Sequence, residues 1–122
     1  MVDEHPNVRL FERLDLRDLD SAKEILSEDF VWHYVNPRLP DLEGDHVGLR
    51  AFGSFFERLH GRTQGTFRVT PVSIMPCGDE LVVTHTRNRM TLDGQDIEVD
   101  AVVVWRVVGG RLVEAWDIPA VH

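Results

Sequence analysis

The sequence contains little cysteine, little lysine and no long hydrophobic run, and each shortage excludes a class of protein. Its one cysteine, Cys77, cannot form a disulfide within the chain, which favours a reducing compartment. Lysine occurs only at Lys23 and the net charge is −8, so the basic surface of a nucleic-acid-binding protein is not expected. No apolar run approaches the roughly 18 residues of a membrane span, and the acidic start Met1–Glu4 is unlike a signal peptide. We therefore expect a cytoplasmic protein that binds neither nucleic acid nor membranes.

The length and composition of the chain are typical of one globular domain. The chain has 122 residues, of which 43% are hydrophobic and 28% charged, and no repeat or linker divides it, so we expect a single domain over residues 1–122. The histidines are not at metal-ligand spacing and no glycine-rich fingerprint for a nucleotide is present, so no metal and no cofactor is predicted.

The first half of the chain predicts three helices and one strand. The third helix is the best marked, since its apolar residues recur at intervals of three and four residues. The first helix begins at Pro6, with Val8, Phe11 and Leu14 or Leu10 as its apolar stripe, and the second is short and has a capping box at Ser21–Glu24. A strand over Phe30–Val35 and a loop over Asn36–Asp45 follow. The third helix carries Leu49, Phe52, Phe55, Phe56 and Leu59.

The second half predicts four strands. They cover Thr66–Met75, Leu81–Leu92, Ile97–Val108 and Leu112–Ile118. Two of the connections, Asp93-Gly94 and Gly109-Gly110, are two-residue hairpin turns of the type that fits the twist of paired strands. Helices followed by an antiparallel meander predict an α+β fold, with the helices on one face of a curved sheet.

Two stretches are similar to SnoaL-like proteins of the nuclear-transport-factor-2-like superfamily. One is Asp29–His33, followed by Gly44, Gly48 and the phenylalanine-rich helix, and the other is Val104–Asp117. The resemblance implies three N-terminal helices packed on a strongly curved, mainly antiparallel sheet that forms a cone with an internal pocket, the cystatin-like α+β roll. The closing sequence Val-Glu-Ala-Trp-Asp resembles the polyketide-cyclase signature whose aspartate is the catalytic acid/base, which here is Asp117.

The hairpin turns also predict which side chains share a face of the sheet. Counting back from each turn places Arg87 opposite Asp100, and Val102 opposite both His85 and Asp117. One face is then mixed, and the other is mostly apolar and carries Val103, Trp105, Trp116 and Ile118. A β-bulge would shift these pairings and exchange the faces beyond it.

Two arrangements are compatible with this pattern. In the first, the helices cover the apolar face, and His85, Arg87, Asp100 and Asp117 form solvated ion pairs on the other side. In the second, the mixed face lines the pocket, and the apolar face with Trp105 and Trp116 forms a homodimer interface, since a monomer rarely exposes so much contiguous apolar surface. The resemblance favours the second arrangement, because family members keep their site on the face under the helices and often dimerise through the opposite face.

The second arrangement predicts a site for proton transfer. Asp117 is the predicted base or general acid, Arg87 would hold a carbonyl or enolate oxygen, and Asp100 would position Arg87. His85 lies across the pocket from Asp117, and the resemblance implies a catalytic acid or base at His33. The predicted substrate-binding residues are Trp32, Phe52, Phe55, Phe56, Val83, Val102 and Val104.

The sequence also departs from its relatives. SnoaL cyclases pair their aspartate with a histidine where this chain has Val103. Limonene-epoxide hydrolases resemble the stretch Thr86–Arg89 and Asp117, but their second acid would stand at Arg89. The predicted function is therefore a small-molecule-binding, cofactor-free acid/base enzyme of the isomerase, cyclase/lyase or epoxide-hydrolase type, acting on a small, largely apolar carbonyl or epoxide compound. The alternative is a non-catalytic ligand-binding or dimerisation module of the same fold.

Overall fold

The computed structural model describes residues 5–121, which form one six-stranded sheet with helices packed against one of its faces. The strand order is β2-β1-β6-β5-β4-β3, and only β1 and β6 pair in parallel. The elements are α1 Pro6–Arg9, 3₁₀ turns over Leu10–Arg13 and Leu19–Ala22, β1 Leu26–Tyr34, β2 Gly44–Val47, α2 Gly48–Arg62, β3 Arg68–Cys77, β4 Leu81–Leu92, β5 Gln95–Val108 and β6 Arg111–Pro119.

The predicted α+β class is confirmed, and the differences lie in the short elements. Only α2 is a long helix; the first predicted helix is a single α-helical turn that continues as 3₁₀, and the second is a 3₁₀ turn over Leu19–Ala22. Segments this short cannot offset the cost of helix nucleation by themselves, so tertiary packing decides their form. The predicted loop Asn36–Asp45 overlaps β2, a short strand before α2 that was not predicted. Within residues 5–121, no helix is both long and apolar enough to cross a membrane.

Both predicted hairpin turns form. Asp93, Gly94, Gly109 and Gly110 all have positive φ angles (52°, 78°, 58° and 77°), as a type I′ turn requires of its two central residues. The first turn fixes the register of β4 and β5 over their whole length, and the predicted pairing of Arg87 with Asp100 is confirmed.

A β-bulge in β6 changes the register that the second turn sets. Next to the turn, Val107 pairs with Leu112 as predicted, but Arg106 pairs with Glu114, so Val113 is the extra residue. Beyond the bulge, Asp117 pairs with Val103 and not with Val102. The bulge therefore moves Asp117 to the same face as Trp105, because a shift of one residue exchanges the two faces of a strand.

The helices cover the face that carries Trp105, which we call the inner face. Trp105 is 3% exposed and packs against Phe11, Phe30 and Trp32, at ring-centroid distances of 5.1, 6.3 and 5.5 Å. The prediction that Trp105 lies on the face away from the helices is wrong, and Trp105 cannot contribute to a dimer interface. Burying this apolar face contributes far more than burying a row of ion pairs would, since charges lose their hydration when they are enclosed.

The opposite, outer face carries the ion pairs and Trp116. The predicted substrate-binding residues Val83, Val102 and Val104 lie on this outer face, so their assignment to the pocket is also wrong. They alternate with the buried residues Val82, Val103 and Trp105, as neighbouring positions on a strand must.

Candidate functional site

A cavity of about 40 Å³ lies between α2 and the inner face of the sheet. Such a volume holds roughly three water molecules or one functional group of a larger ligand. Much of its wall is apolar and comes from α2 and strands β4 and β5: Phe56, Leu59, Met90, Leu92, Ile97 and Val99. The polar and charged residues that line it are Tyr34, Asn36, Arg38, Asn88 and Asp117.

Asp117 reaches this cavity from the inner face of β6. It lies between Tyr34 on β1 and Val103 on β5, its partners in the two neighbouring strands. Although part of the residue is exposed, the carboxylate atom Oδ1 is buried and has no hydrogen-bond partner among the described residues. Burial without a compensating cation raises the pKa of Asp117 to about 7. At neutral pH this carboxyl group can therefore either accept or donate a proton.

Tyr34 and Asn36 supply a hydrogen-bonding pair beside Asp117. The Asn36 side-chain amide Nδ2 donates to the Tyr34 hydroxyl oxygen over 2.8 Å. Burial, and to a smaller extent the nearby charge of Asp117, raise the pKa of Tyr34 to about 12 although the Asn36 hydrogen bond lowers it. The Tyr34 hydroxyl therefore stays protonated at neutral pH. None of residues 5–121 accepts a hydrogen bond from this hydroxyl, so it can donate one to a ligand.

Sequence reasoning missed Tyr34 and Asn36 as site residues. The signal was present in the alternation of β1, where Tyr34 lies two residues after Trp32 and so on the same face. Predicting a catalytic His33 concealed it, because a His33 that points inward puts Tyr34 on the outside, although Trp32 was itself a predicted substrate-binding residue. The structure shows the reverse, with Phe30, Trp32 and Tyr34 buried.

His33 lies on the outer face and not in the cavity, which corrects its predicted position. Its Nδ1 is 2.6 Å from Asp45 Oδ1 and its Nε2 is 2.6 Å from Glu114 Oε2, while its ring stacks on Trp116 at 5.2 Å between centroids. Partial burial opposes protonation, but the hydrogen bonds to the two carboxylates outweigh it and raise the pKa of His33. Protonated His33 can donate to both carboxylates at once.

His85, Arg87 and Asp100 also lie on the outer face, so they do not meet Asp117 as predicted. His85 Nε2 is 2.8 Å and Arg87 Nε is 3.3 Å from Asp100 Oδ1. The hydrogen bond from His85, together with the charge of Arg87, lowers the pKa of Asp100. The physical reason for the misplacement is the register of β6, which the bulge at Val113 shifts by one residue relative to β5.

The predicted substrate-binding aromatics separate into cavity and core. Phe56 lines the cavity, whereas Phe52 and Phe55 are fully buried in the core with Trp32, whose ring centroid is 4.9 Å from Phe52 and 5.8 Å from Phe55. The indole nitrogen Nε1 of Trp32 is buried and, like Asp117 Oδ1, has no partner among the described residues. In the same part of the chain no group of three or more His, Cys, Asp or Glu side chains could hold a metal ion.

Comparison with known proteins identifies a family and a set of structural neighbours. The family model described as the SnoaL-like domain matches residues 8–115. Bal32a, from a soil-derived mobile gene cassette, is 24% identical, with a TM-score of 0.82 over 94% of this chain and 89% of its own. A protein of unknown function with a cystatin-like fold from Xanthomonas campestris is 19% identical, with a TM-score of 0.79 over 93% of this chain and 90% of its own.

A third neighbour is IdmH from Streptomyces antibioticus, a proposed polyketide cyclase. It is 19% identical, with a TM-score of 0.71 over 95% of this chain and 93% of its own. No curated protein matches the sequence. At these identities the neighbours establish the fold alone.

Proposed function

Since the chain belongs to the SnoaL-like domain family, we propose that it is a small-molecule-binding enzyme in which Asp117 transfers a proton of the bound substrate. The observation that carries this proposal is the buried, unpartnered carboxylate in a mostly apolar cavity, with a pKa of about 7. A general acid or base is most effective when its pKa lies near the working pH. Groups with strongly perturbed pKa values also cluster at functional sites.

The groups around Asp117 favour a substrate with a carbonyl group. The Tyr34 hydroxyl would donate a hydrogen bond to the carbonyl oxygen, while ionised Asp117 takes a proton from the neighbouring carbon. The electrons of the broken C–H bond form the enolate, and the negative charge moves to the oxygen that Tyr34 holds. Protonated Asp117 then returns its proton. Where a C=C bond is conjugated with the enolate, the proton can go to a different carbon and the product is an isomer in which the double bond has moved, whereas return to the original carbon regenerates the substrate.

The composition of the cavity favours this isomerase-type reaction over the cyclase and hydrolase types. Val103 is the strand partner of Asp117, at the position where SnoaL cyclases carry a histidine. Asn88, and not Arg89, lines the cavity, and Asp117 is its one carboxylate among the described residues. Limonene-epoxide hydrolases, by contrast, use two carboxylates. A single carboxylate with a neutral hydrogen-bond donor is sufficient for a proton transfer between carbon atoms.

The alternative function is non-catalytic binding of a small ligand. The small volume and mostly apolar wall of the cavity favour it, since binding sites need only one or two orienting polar groups. The proton-transfer proposal is preferred because a buried carboxyl group costs stability that a simple binding pocket does not need.

Deuterium exchange distinguishes the two functions without knowledge of the substrate. A panel of small cyclic ketones is incubated with the protein in D₂O at neutral pH, and loss of the α-proton signals is followed by NMR. We expect Asp117→Asn to slow enzyme-dependent exchange by at least about a hundredfold, the low end of general acid–base contributions. Asp100→Asn, which removes an outer-face carboxylate, serves as the matched control and should leave the rate unchanged. Ketones that bind but exchange no faster than in buffer would establish the binding function instead.

We also propose that the protein forms a homodimer through the outer face, in place of the interface predicted at Trp105. This face exposes Val102 and Ile118 next to the partly buried Trp116. Apolar side chains that are clustered on an open sheet face are typical of subunit interfaces. A stable monomer at micromolar concentration in sedimentation would contradict this proposal.

A further inference from the structure

Arg38 is the one cationic residue that lines the cavity in the part of the chain that the structure describes. It lies on the loop after β1, and its backbone N–H donates to the Asn36 side-chain oxygen Oδ1 over 3.0 Å. The nitrogen of the same Asn36 amide donates to the Tyr34 hydroxyl. A single side chain therefore ties the backbone of Arg38 to the polar end of the cavity.

The guanidinium group of Arg38 has no ion pair and no side-chain hydrogen bond with any of residues 5–121. Among the described residues, six of the other eleven arginines form ion pairs, for example Arg62 with Asp41 and Arg106 with Glu80 and Glu114, and the five that do not are absent from the cavity wall. In a chain of net charge −8, an arginine that lines a cavity and has no ion pair with the described residues is available to an anion from outside.

We propose that Arg38 binds a carboxylate group of the substrate, so that the enzyme acts on a small, largely apolar keto acid. The proposal rests on the proposed function, because it assumes that the reacting end of the molecule is next to Asp117. Arg38 and Asp117 line the same cavity, and Arg38 is exposed whereas Asp117 Oδ1 is buried, so we take the exposed side at Arg38 as the entrance. The carbonyl end would lie between Tyr34 and Asp117, and the carboxylate would remain at the entrance.

The small volume of the cavity supports this orientation. A space of about 40 Å³ admits the carbonyl end of a ligand but not a whole ring system, so the remainder of the molecule must extend toward the entrance. A planar carboxylate can accept two hydrogen bonds from one guanidinium group, which an ammonium group cannot match. The negative charge would then be neutralised at the entrance, away from the carboxyl group that transfers the proton.

A matched pair of probes tests the proposal. 4-Methylpentanoate and 4-methylpentanamide have nearly the same shape, contain no ring and differ in charge, and their dissociation constants can be measured by NMR titration of the protein. We expect wild-type protein to bind the carboxylate about tenfold more tightly than the amide at low ionic strength, and salt to reduce the ratio. Arg38→Gln should abolish the preference without weakening amide binding, and Arg38→Lys should restore it only in part.

Arg50→Gln is the matched control, because Arg50 is an exposed arginine of α2 that does not line the cavity. This variant should keep the full preference for the carboxylate. Equal affinity of wild-type protein for the two probes, a preference that survives Arg38→Gln, or failure of both probes to bind would each overturn the proposal. A failure of the proposed function gives a different result, since Asp117→Asn would then leave ketone exchange unchanged whatever the probes show at Arg38.

Discussion

Asp100 and Asp117 are the same type of residue on adjacent strands, but they lie on opposite faces of the sheet. On the outer face Asp100 is solvated and contacts His85 and Arg87, and its pKa is lowered. On the inner face the Asp117 carboxylate is enclosed without a cation, and its pKa is raised to about 7. The cluster of opposite charges looks more like an active site in the sequence, but it lowers the pKa of its carboxylate, whereas the carboxylate with the raised pKa lies without a charged partner on the apolar face.

The largest expected effect concerns the pH dependence of stability. An ordinary aspartate loses its proton near pH 3.9 in the unfolded chain, whereas folded Asp117 keeps its proton up to about pH 7. Because the folded state binds the extra proton between these values, the free energy of unfolding should fall as the pH rises from about 4 to 7. A shift of about three pKa units corresponds to a decrease of about 4 kcal/mol.

Urea denaturation from pH 4 to pH 8 measures this decrease. Asp117→Asn should remove most of it and make the protein more stable than wild type at pH 8, because no charge is then buried. The control variant Asp100→Asn should retain the decrease. If all three proteins showed the same dependence on pH, the inner carboxylate would not be desolvated, and the contrast between the two faces would disappear.

A smaller effect is expected from two adjacent valines at the end of β5. Val107 faces inward and is 2% exposed, whereas Val108 is 49% exposed. Val107→Ala should lower the free energy of unfolding by about 2 kcal/mol, since it removes two buried methyl groups and leaves a small cavity. Val108→Ala should change it by less than about 0.5 kcal/mol. Denaturation of the two variants under one condition gives the comparison, and equal losses would contradict the assignment of the faces.

The smallest effect is expected at His33 on the outer face. Its pKa is raised above the usual 6.5 by Asp45 and Glu114, so its contribution to stability is fully present below pH 6.5 and is lost as the pH rises through the folded-state value. His33→Gln should therefore destabilise the protein by up to about 1 kcal/mol at pH 6 and by less at pH 9. His60→Gln, at the exposed end of α2, is the control. A loss at His33 that does not change with pH would show that the imidazole stabilises only by stacking on Trp116.

Much of the fold could be predicted because local sequence determines it. The two-residue turn at Asp93-Gly94 fixed the pairing of β4 with β5, and the apolar spacing from Leu49 to Leu59 located α2. The second hairpin also has a well-defined turn, yet its register changes at Val113. Nothing in a run of valines and alternating polar residues marks the position of a bulge, because the bulge depends on how the strand packs against its neighbours.

The hydrophobic pattern and the family resemblance conflict if the second hairpin is regular. The hydrophobic pattern predicts that the face with Trp105 lies under the helices, and the resemblance predicts that Asp117 lies there. A regular hairpin puts these two residues on opposite faces. The bulge at Val113 brings both to the inner face. The position of Asp117 under the helices could therefore be predicted from the sequence, but the positions of Tyr34 and Asn36 beside it could not, since they depend on the correct face of β1.

The difference between the two carboxylates can be measured directly by NMR titration of the Asp117 carboxyl carbon, with Asp100 observed in the same spectra. We expect Asp117 to titrate at about pH 7, and Asp100 to titrate below the usual value for aspartate. The Asp117 resonance should also be absent from the spectrum of Asp117→Asn, which confirms its assignment. A midpoint for Asp117 at or below about pH 3.9 would show that its carboxylate is solvated or paired, and would contradict the claim that the inner face holds the reactive acid.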